Sequence, residues 1–116
     1  MKDFEILFKE GRFVGGDLQN LKIWKIDPKK YPRRKYNKDD LKIGFVVCLK
    51  AHKSAVKRNR VKRQMREVVR LLLKEDKLKK GYMLALMAKG NIIGKDYKEI
   101  EKSVVGILKK ARILKS

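Results

Sequence analysis

A dense cluster of cations lies within residues 50–74, where ten Lys and Arg side chains accompany a single acid, Glu67. The centre of the cluster is the run Lys57, Arg58, Asn59, Arg60, Val61, Lys62, Arg63, Gln64, Met65, Arg66 and Glu67. Guanidinium groups bind phosphate through a bidentate fork, and Lys binds it as a point charge. Asn59 can both donate and accept hydrogen bonds to a sugar or a base edge. These residue types predict a surface that binds a polyanion through its phosphates.

The same segment has the pattern of an amphipathic helix that begins near Ser54. Its apolar residues are Val61, Met65, Val68 and Leu72, spaced at i, i+4, i+7 and i+11. On a helical wheel these residues lie within about 40° of Val61. Lys62, Arg66, Asn59, Arg70 and Arg63 occupy an arc from about 100° to 200°, and Arg58 at about 60° and Arg60 at about 260° flank this face. A helix face that is merely solvated usually alternates in sign to form i, i+4 ion pairs, and this face does not. The sequence therefore predicts a helix that packs against a core on one side and presents a ligand-binding face on the other.

An excess of positive charge extends over the whole chain. Lys and Arg outnumber Asp and Glu 33 to 13, which gives the 116 residues a formal net charge of +20. A compact chain with that charge repels itself until an anion neutralises it, so nucleic acid is the expected partner. Apolar residues make up 43% of the chain, enough for one core, but no stretch is long enough to span a bilayer. We therefore expect a single-domain cytoplasmic protein without a membrane segment.

The other segments predict an α+β fold. We expect a short helix over Lys2–Glu10, a half-buried strand over residues 21–26, a central strand covered on both faces over residues 41–49, a strand over Tyr82–Ala88 and a helix from about Asp96. A further short strand is expected around residues 13–15, and residues 27–40 form a loop. The basic helix joins strands 41–49 and 82–88, so it is predicted to be the crossover of a βαβ unit. The only cysteine, Cys48, is expected to be a buried thiol in a strand.

Two parts of this pattern resemble the bacterial ribonuclease P protein subunit. The first is the segment Leu41, Lys42, Ile43, Gly44, Phe45, Val46 and Val47; the second is the segment from Ala55 to Arg63 with Arg66 and Glu67, which contains the Arg58, Asn59, Arg60 core of the family motif. Phe4, Phe8, Lys9 and Gly11 are similar to the family's first helix. The resemblance covers nearly the whole chain, which predicts one ribonuclease P protein-like domain over residues 1–116.

The resemblance implies a fold and a function. The fold would be a single-domain α+β sandwich, with a mixed sheet of about four strands and helices packed on it, like that of a ribosomal-protein domain. The family binds a large catalytic RNA and helps it to remove 5′ leaders from precursor transfer RNA, with Mg²⁺ at the active centre of the RNA. No catalytic side chain and no metal ligand is expected in the protein, and a monomer in a 1:1 complex with the RNA is expected.

The resemblance also assigns two sets of binding residues. The catalytic RNA would contact Lys50, Lys53, Lys57, Arg58, Asn59, Arg60, Lys62, Arg63 and Arg66, where Leu49 replaces the first of two lysines common in the family. The single-stranded leader would lie in a cleft with Phe4, Phe8 and Trp24, because bases stack on aromatic rings. Phe4 and Phe8 fit a core role equally well, whereas Trp24, flanked by Lys22 and Lys25, is expected to face the ligand.

Two other functions stay open at this point. An architectural, ribosomal-type RNA-binding protein would have a similar composition, and the Arg58, Asn59, Arg60 context favours ribonuclease P over it. A protein-only nuclease would need side chains that hold metal ions or act as a general base. For that chemistry the chain offers only one histidine, His52, and the adjacent acids Asp39 and Asp40 in a loop.

Overall fold

Three helices and four strands make up most of the part of the chain that the computed structural model describes, which is residues 2–31, 39–47 and 53–115, with the backbone alone for residues 2–4. In chain order they are α1 (Lys2–Glu10), β1 (Arg12–Val14), β2 (Gln19–Lys25), β3 (Leu41–Val46), α2 (Ala55–Lys74), β4 (Tyr82–Ala88) and α3 (Tyr97–Lys110), with a short 3₁₀ turn at Gly90–Ile92 before α3. The predicted positions of the helices and of the Tyr82–Ala88 strand are confirmed.

The strands form one mixed sheet in the order β1-β2-β4-β3. The pairs β1 with β2 and β2 with β4 are antiparallel, whereas β3 and β4 run parallel and are joined by α2. The basic helix is therefore the crossover of a βαβ unit, as the sequence predicts. This connection places the start of α2 at the end of the sheet where β3 and β4 terminate.

The prediction of a central strand at residues 41–49 is wrong. Among the described strands β3 pairs only with β4, so it lies at the edge of the sheet, and it ends at Val46. Leu41, Ile43 and Phe45 pack against the main core, while Lys42 is exposed. A continuous apolar run is typical of a strand covered on both faces, but one covered face is enough to account for this run. Cys48 lies outside the described residues.

The main core lies between the sheet and the two long helices. Leu21, Leu84 and Leu86 from the sheet are fully buried against the apolar faces of α2 and α3. The helix residues in this core are Val61, Met65, Val68, Val69, Ile100, Val104, Ile107 and Leu108, with Leu72 partly buried at the margin. The predicted stripe of α2 therefore packs in the core, and Val69 widens it.

Side-chain caps fix where the two long helices begin. Ser54 precedes α2, and its hydroxyl accepts a hydrogen bond from the Lys57 backbone N–H. Asp96 precedes α3 and forms a capping box with Glu99, in which each side chain accepts a hydrogen bond from the other residue's backbone N–H. These caps satisfy backbone donors that have no partner inside the helix.

A second, smaller core lies under α1 on the opposite face of the sheet. Ile6 and Leu7 of α1 are buried there against Trp24, Met83 and other sheet residues. The helix ends at Glu10, and a Cβ added to the following Gly11 would lie 2.3 Å from the Leu7 carbonyl oxygen. A glycine is therefore required for the close turn from α1 into β1.

An ion pair ties the turn after β2 to the end of α1. The Glu10 carboxylate accepts hydrogen bonds from the Lys30 ammonium at 2.5 Å and from the Tyr31 hydroxyl at 3.0 Å. These two bonds, the Lys30 bond first, lower the pKa of Glu10 below its ordinary value of 4.5. Tyr31 in turn packs edge-on against Trp24, with ring centroids 5.9 Å apart. The turn is thus held over the smaller core.

We expect Met65→Ala to lower the free energy of unfolding by about 2–5 kcal/mol, because it leaves a cavity at a fully buried position where α2 meets the sheet. The control is Val56→Ala, at a side chain that is 79% exposed in the first turn of the same helix, where we expect a change within about 0.5 kcal/mol. Urea denaturation followed by circular dichroism measures both. Equal destabilisation by the two variants would contradict the packing described for α2.

Candidate nucleic-acid interface

The solvent side of α2 carries six cations and one amide side chain, which together we call the cationic ridge. It consists of Lys57, Arg58, Asn59, Arg60, Lys62, Arg63 and Arg66. Lys62 and Arg58 are half-buried, and the others are exposed. The buried stripe on the opposite side fixes the rotation of the helix, so these side chains project from a rigid element. Sequence periodicity predicts that one face of the helix is apolar and the other basic, and the structure has this separation.

The acids in the described part of the chain leave most of the ridge uncompensated. Glu67 accepts two hydrogen bonds from the Arg70 guanidinium, at 2.9 and 2.6 Å, and this pairing lowers the pKa of Glu67. Within residues 2–31, 39–47 and 53–115, no carboxylate forms an ion pair with Arg60, Arg63 or Arg66. The first turn of α2 has no acid either, so its cations add to the positive end of the helix dipole. An anion bound here would relieve the repulsion among the cations and the repulsion between them and the positive end of the helix dipole.

Two guanidinium groups of the ridge are held in position by the protein. An Nη1 atom of Arg58 donates to the Lys53 carbonyl oxygen at 3.0 Å, which links the ridge to the segment before α2. The guanidinium carbon of Arg66 lies 5.8 Å from the centre of the Phe45 ring on β3. A cation–π contact of this kind uses the face of the group and leaves its N–H donors available for phosphate. The edge strand thus orients part of the ridge.

Two of the predicted contacts lie where the structure gives no side-chain description. Lys50 is outside the described residues, and for Phe4 only the backbone in α1 is described. Lys53 is exposed just before the Ser54 cap, next to the ridge. Of the residues predicted to contact the catalytic RNA, all but Lys50 therefore lie together on α2 or at its N-terminal end.

Trp24, which is predicted from the sequence to contact the leader, is buried in the structure. Only 7% of Trp24 is exposed, because α1 and Tyr31 cover its face of the sheet. Flanking lysines do not indicate which way a strand residue points. Lys22, Trp24 and Ile26 lie on the same face of the sheet; Lys22 is half-buried, whereas Trp24 and Ile26 belong to the smaller core. Trp24 is a core residue beneath the candidate cleft.

Other aromatic rings are accessible on that side of the sheet. Phe8 on α1 is 45% exposed, so the structure favours a surface role over a core role for it. Phe13 on β1 is 56% exposed and pairs in register with Lys22, which places it on the same face as Trp24. Phe13 is not among the leader-binding residues predicted from the sequence; the sequence signal for it is an aromatic residue in the predicted short strand around residues 13–15. These two rings are the exposed aromatic surface near α1.

Among the described residues, no three His, Cys, Asp or Glu side chains come together as a group that could hold a metal ion. Asp39 is exposed and Asp40 is half-buried in the loop before β3, and His52 lies outside the described residues. In the same part of the chain, no helix is both long enough and apolar enough to cross a membrane. The interface described above is therefore one of positive charge and exposed rings.

Comparisons with known proteins agree with this geometry. The family model described as Ribonuclease P matches residues 1–112. A Clostridium botulinum relative, named as a ribonuclease P protein component, is 36% identical over 112 residues, which cover 97% of this chain and 90% of the relative.

Solved structures share the fold. The ribonuclease P protein of Staphylococcus aureus superposes with a TM-score of 0.79 at 20% identity, over 98% of this chain and 93% of that one. The ribonuclease P protein of Thermotoga maritima gives a TM-score of 0.74 at 22% identity, over 94% of this chain and 91% of that one. At such low identity these structures support the architecture, a mixed four-stranded sheet with packed helices, and do not by themselves assign residues.

We expect Trp24→Ala to lower the free energy of unfolding by about 3–5 kcal/mol, because it empties the centre of the smaller core. Phe8→Ala, which removes a ring that is nearly half exposed, should cost about 1 kcal/mol or less. Chemical denaturation of the two variants tests this contrast. A Trp24→Ala protein as stable as the parent would show that the ring is not part of the core.

Proposed function

Because the chain belongs to the ribonuclease P protein family, we propose that its cationic ridge holds the catalytic RNA and that its exposed rings near α1 contact the leader of precursor transfer RNA. As a member of that family, the chain is an RNA-binding subunit of the ribonucleoprotein endonuclease that matures the 5′ ends of transfer RNA. The RNA carries the chemistry, and the protein assists it. An architectural role without transfer RNA processing is disfavoured, because the family match extends over residues 1–112.

One observation carries the proposal: the ridge has a single sign of charge and lies on a helix whose other face is buried. A rigid row of cations spaced along α2 can contact successive phosphates without paying to order a flexible segment. Guanidinium groups at Arg60, Arg63 and Arg66 supply bidentate contacts, and Asn59 adds a donor and an acceptor for a sugar or base edge. Lys50 and Lys53 would extend this contact before the helix.

The composition of the ridge also bears on which subunit holds the metal ion and which supplies positive charge. Ammonium and guanidinium groups do not ligate a divalent cation, and the described residues contain no cluster of acids and histidines that would. From the family membership, we assign the Mg²⁺ of the reaction to the RNA. The contribution of the protein is electrostatic: its positive charge reduces the repulsion between the catalytic RNA and a second polyanion, the precursor.

The exposure of the aromatic side chains supports a revised leader contact. Phe8 and Phe13 present accessible rings, whereas Trp24 is buried. Stacking on such rings tolerates any base, which suits leaders of varied sequence. Phe4 occupies the helix position one turn before Phe8 and remains part of the proposal. We further propose that one protein chain binds one RNA and that the complex acts in the cytoplasm.

We expect the substitutions Arg60→Ala and Arg63→Ala each to weaken binding to a transcribed bacterial ribonuclease P RNA. Each lost phosphate contact should lower the slope of log affinity against log salt by roughly 0.7–0.9. The matched control is Arg112→Ala, an exposed arginine beyond the C-terminal end of α3. Filter binding over a series of salt concentrations measures the slope. If all three variants have the same slope, the ridge is not the RNA contact.

For the leader we expect Phe8→Ala to weaken binding of precursor transfer RNA by about 1–3 kcal/mol for each base that stacks on the ring. Binding of mature transfer RNA should not change, because it has no leader. The control is Leu73→Ala, a comparably exposed apolar residue near the end of α2. Affinities of the assembled ribonucleoprotein for both RNAs give the comparison. An equal loss for precursor and mature transfer RNA would remove Phe8 from the leader contact.

A further inference from the structure

A second concave surface lies away from the solvent face of α2, between α3 and the turn that joins β1 to β2. It is a groove of about 820 Å³. Gly15 and Gly16 form one wall, Lys102 and Gly106 of α3 form the other, and Lys89 and Lys95 come from the segment between β4 and α3. No part of the family motif lies in this groove.

Lysine is the commonest residue in the lining of the groove. Four lysines, Lys89, Lys95, Lys102 and Lys110, face two acids, Asp17 and Glu99. One Glu99 oxygen accepts a hydrogen bond from the Asp96 backbone N–H in the α3 cap. In the described part of the chain neither acid forms an ion pair with any of the four lysines. The ammonium groups are thus available to an external anion.

The walls allow a polymer backbone to approach closely. Gly106 lies on the exposed side of α3, and a Cβ at this position would have no heavy atom within 4 Å. The Gly16 carbonyl oxygen accepts a hydrogen bond from the Lys89 ammonium at 3.2 Å, and the Gly15 carbonyl oxygen accepts one from the Lys110 ammonium at 3.0 Å. These contacts hold two ammonium groups at the wall, and each group keeps two further donors for phosphate oxygens.

The groove is continuous with the cationic ridge through Lys95. This residue also lines a pocket of about 250 Å³ together with Lys57 and Arg60 of the ridge. The sheet explains the proximity: the β1–β2 turn, the residues after β4 and the start of α2 all lie at the end where Gln19 pairs with Ala88. An extended polyanionic ligand that crosses the first turns of α2 can therefore continue past Lys95 into the groove.

We propose that this groove binds the sugar–phosphate backbone of a second segment of the RNA held by the ridge. The inference rests on the proposed function for the identity of the RNA, and it adds a contact surface on α3. An RNA backbone fits better than an acidic peptide, because Lys95 lines both the groove and the pocket that contains Lys57 and Arg60 of the ridge, so one long polyanion can contact both surfaces.

The first test is the double variant Lys95→Ala/Lys102→Ala. Neither ammonium group makes a hydrogen bond or an ion pair within the described residues, so the fold should not change. The control variant Lys25→Ala/Lys80→Ala removes the same charge from two exposed lysines at the opposite end of the sheet. Binding to a transcribed bacterial ribonuclease P RNA is measured over a salt series.

The groove variant should lose on the order of ten-fold in affinity at 0.15 M salt, and its salt slope should fall by roughly 1.4–1.8, as expected for two lost phosphate contacts. The control should keep the parental slope. Identical slopes for the two double variants would overturn the groove proposal. If RNA binding in this assay is also insensitive to Arg60→Ala, the proposed function fails as well, so the two failures can be told apart.

The second test locates the RNA directly. A cysteine introduced by Gly106→Cys, in a chain whose own cysteine is removed by Cys48→Ser, carries an iron–EDTA group that cleaves nearby RNA. Cys replaces Gly in a helix without cost to helix propensity, and its side chain enters open space. Cleavage of the bound RNA at sites not cut from a matched Lys80→Cys tether supports the proposal. An RNA left uncut from position 106, or cut only where the control tether cuts, overturns it.

Discussion

The attachment of α2 to the sheet is the interaction on which the rest of the structure depends. Val61, Met65, Val68 and Val69 are buried on one side of this helix, while its other side has a row of like charges. Like charges at i, i+4 cost a helix about 0.2–0.5 kcal/mol per pair. Burial of one aliphatic side chain contributes about 1.5–3 kcal/mol. The buried stripe therefore outweighs the repulsion along the ridge, and the helix stays folded without its ligand.

Because burial of the apolar stripe outweighs the repulsion along the ridge, a chain with few acids can fold and still present uncompensated positive charge to a ligand. The ridge stores electrostatic repulsion that a phosphate backbone releases, so binding energy comes from charge already in place. The βαβ crossover sets the start of the helix beside the β4–α3 segment, and the two basic surfaces meet there. Catalysis by the protein itself is not needed in such an arrangement, because its part is to bring two polyanions together.

The features predicted correctly from the sequence are those that local chemistry determines. The starts of the two long helices near Ser54 and Asp96, the apolar stripe of α2 and the Tyr82–Ala88 strand follow from side-chain type and spacing. The edge position of β3 and the burial of Trp24 depend on which elements cover each face of the sheet, which no local pattern records. The lysine groove was missed for a similar reason: its four lysines are scattered from position 89 to position 110 and come together only when α3 packs beside the β1–β2 turn.

The most direct test of the electrostatic role is the rate at which a bacterial ribonuclease P RNA removes the leader from precursor transfer RNA at physiological ionic strength, with and without this protein. We expect the protein to raise the rate when the RNA is present and to leave the precursor intact when it is absent. High Mg²⁺ or high salt should narrow the difference, because both screen the repulsion that the ridge relieves. An unchanged rate with the RNA, or cleavage by the protein alone, would contradict the role assigned to the ridge.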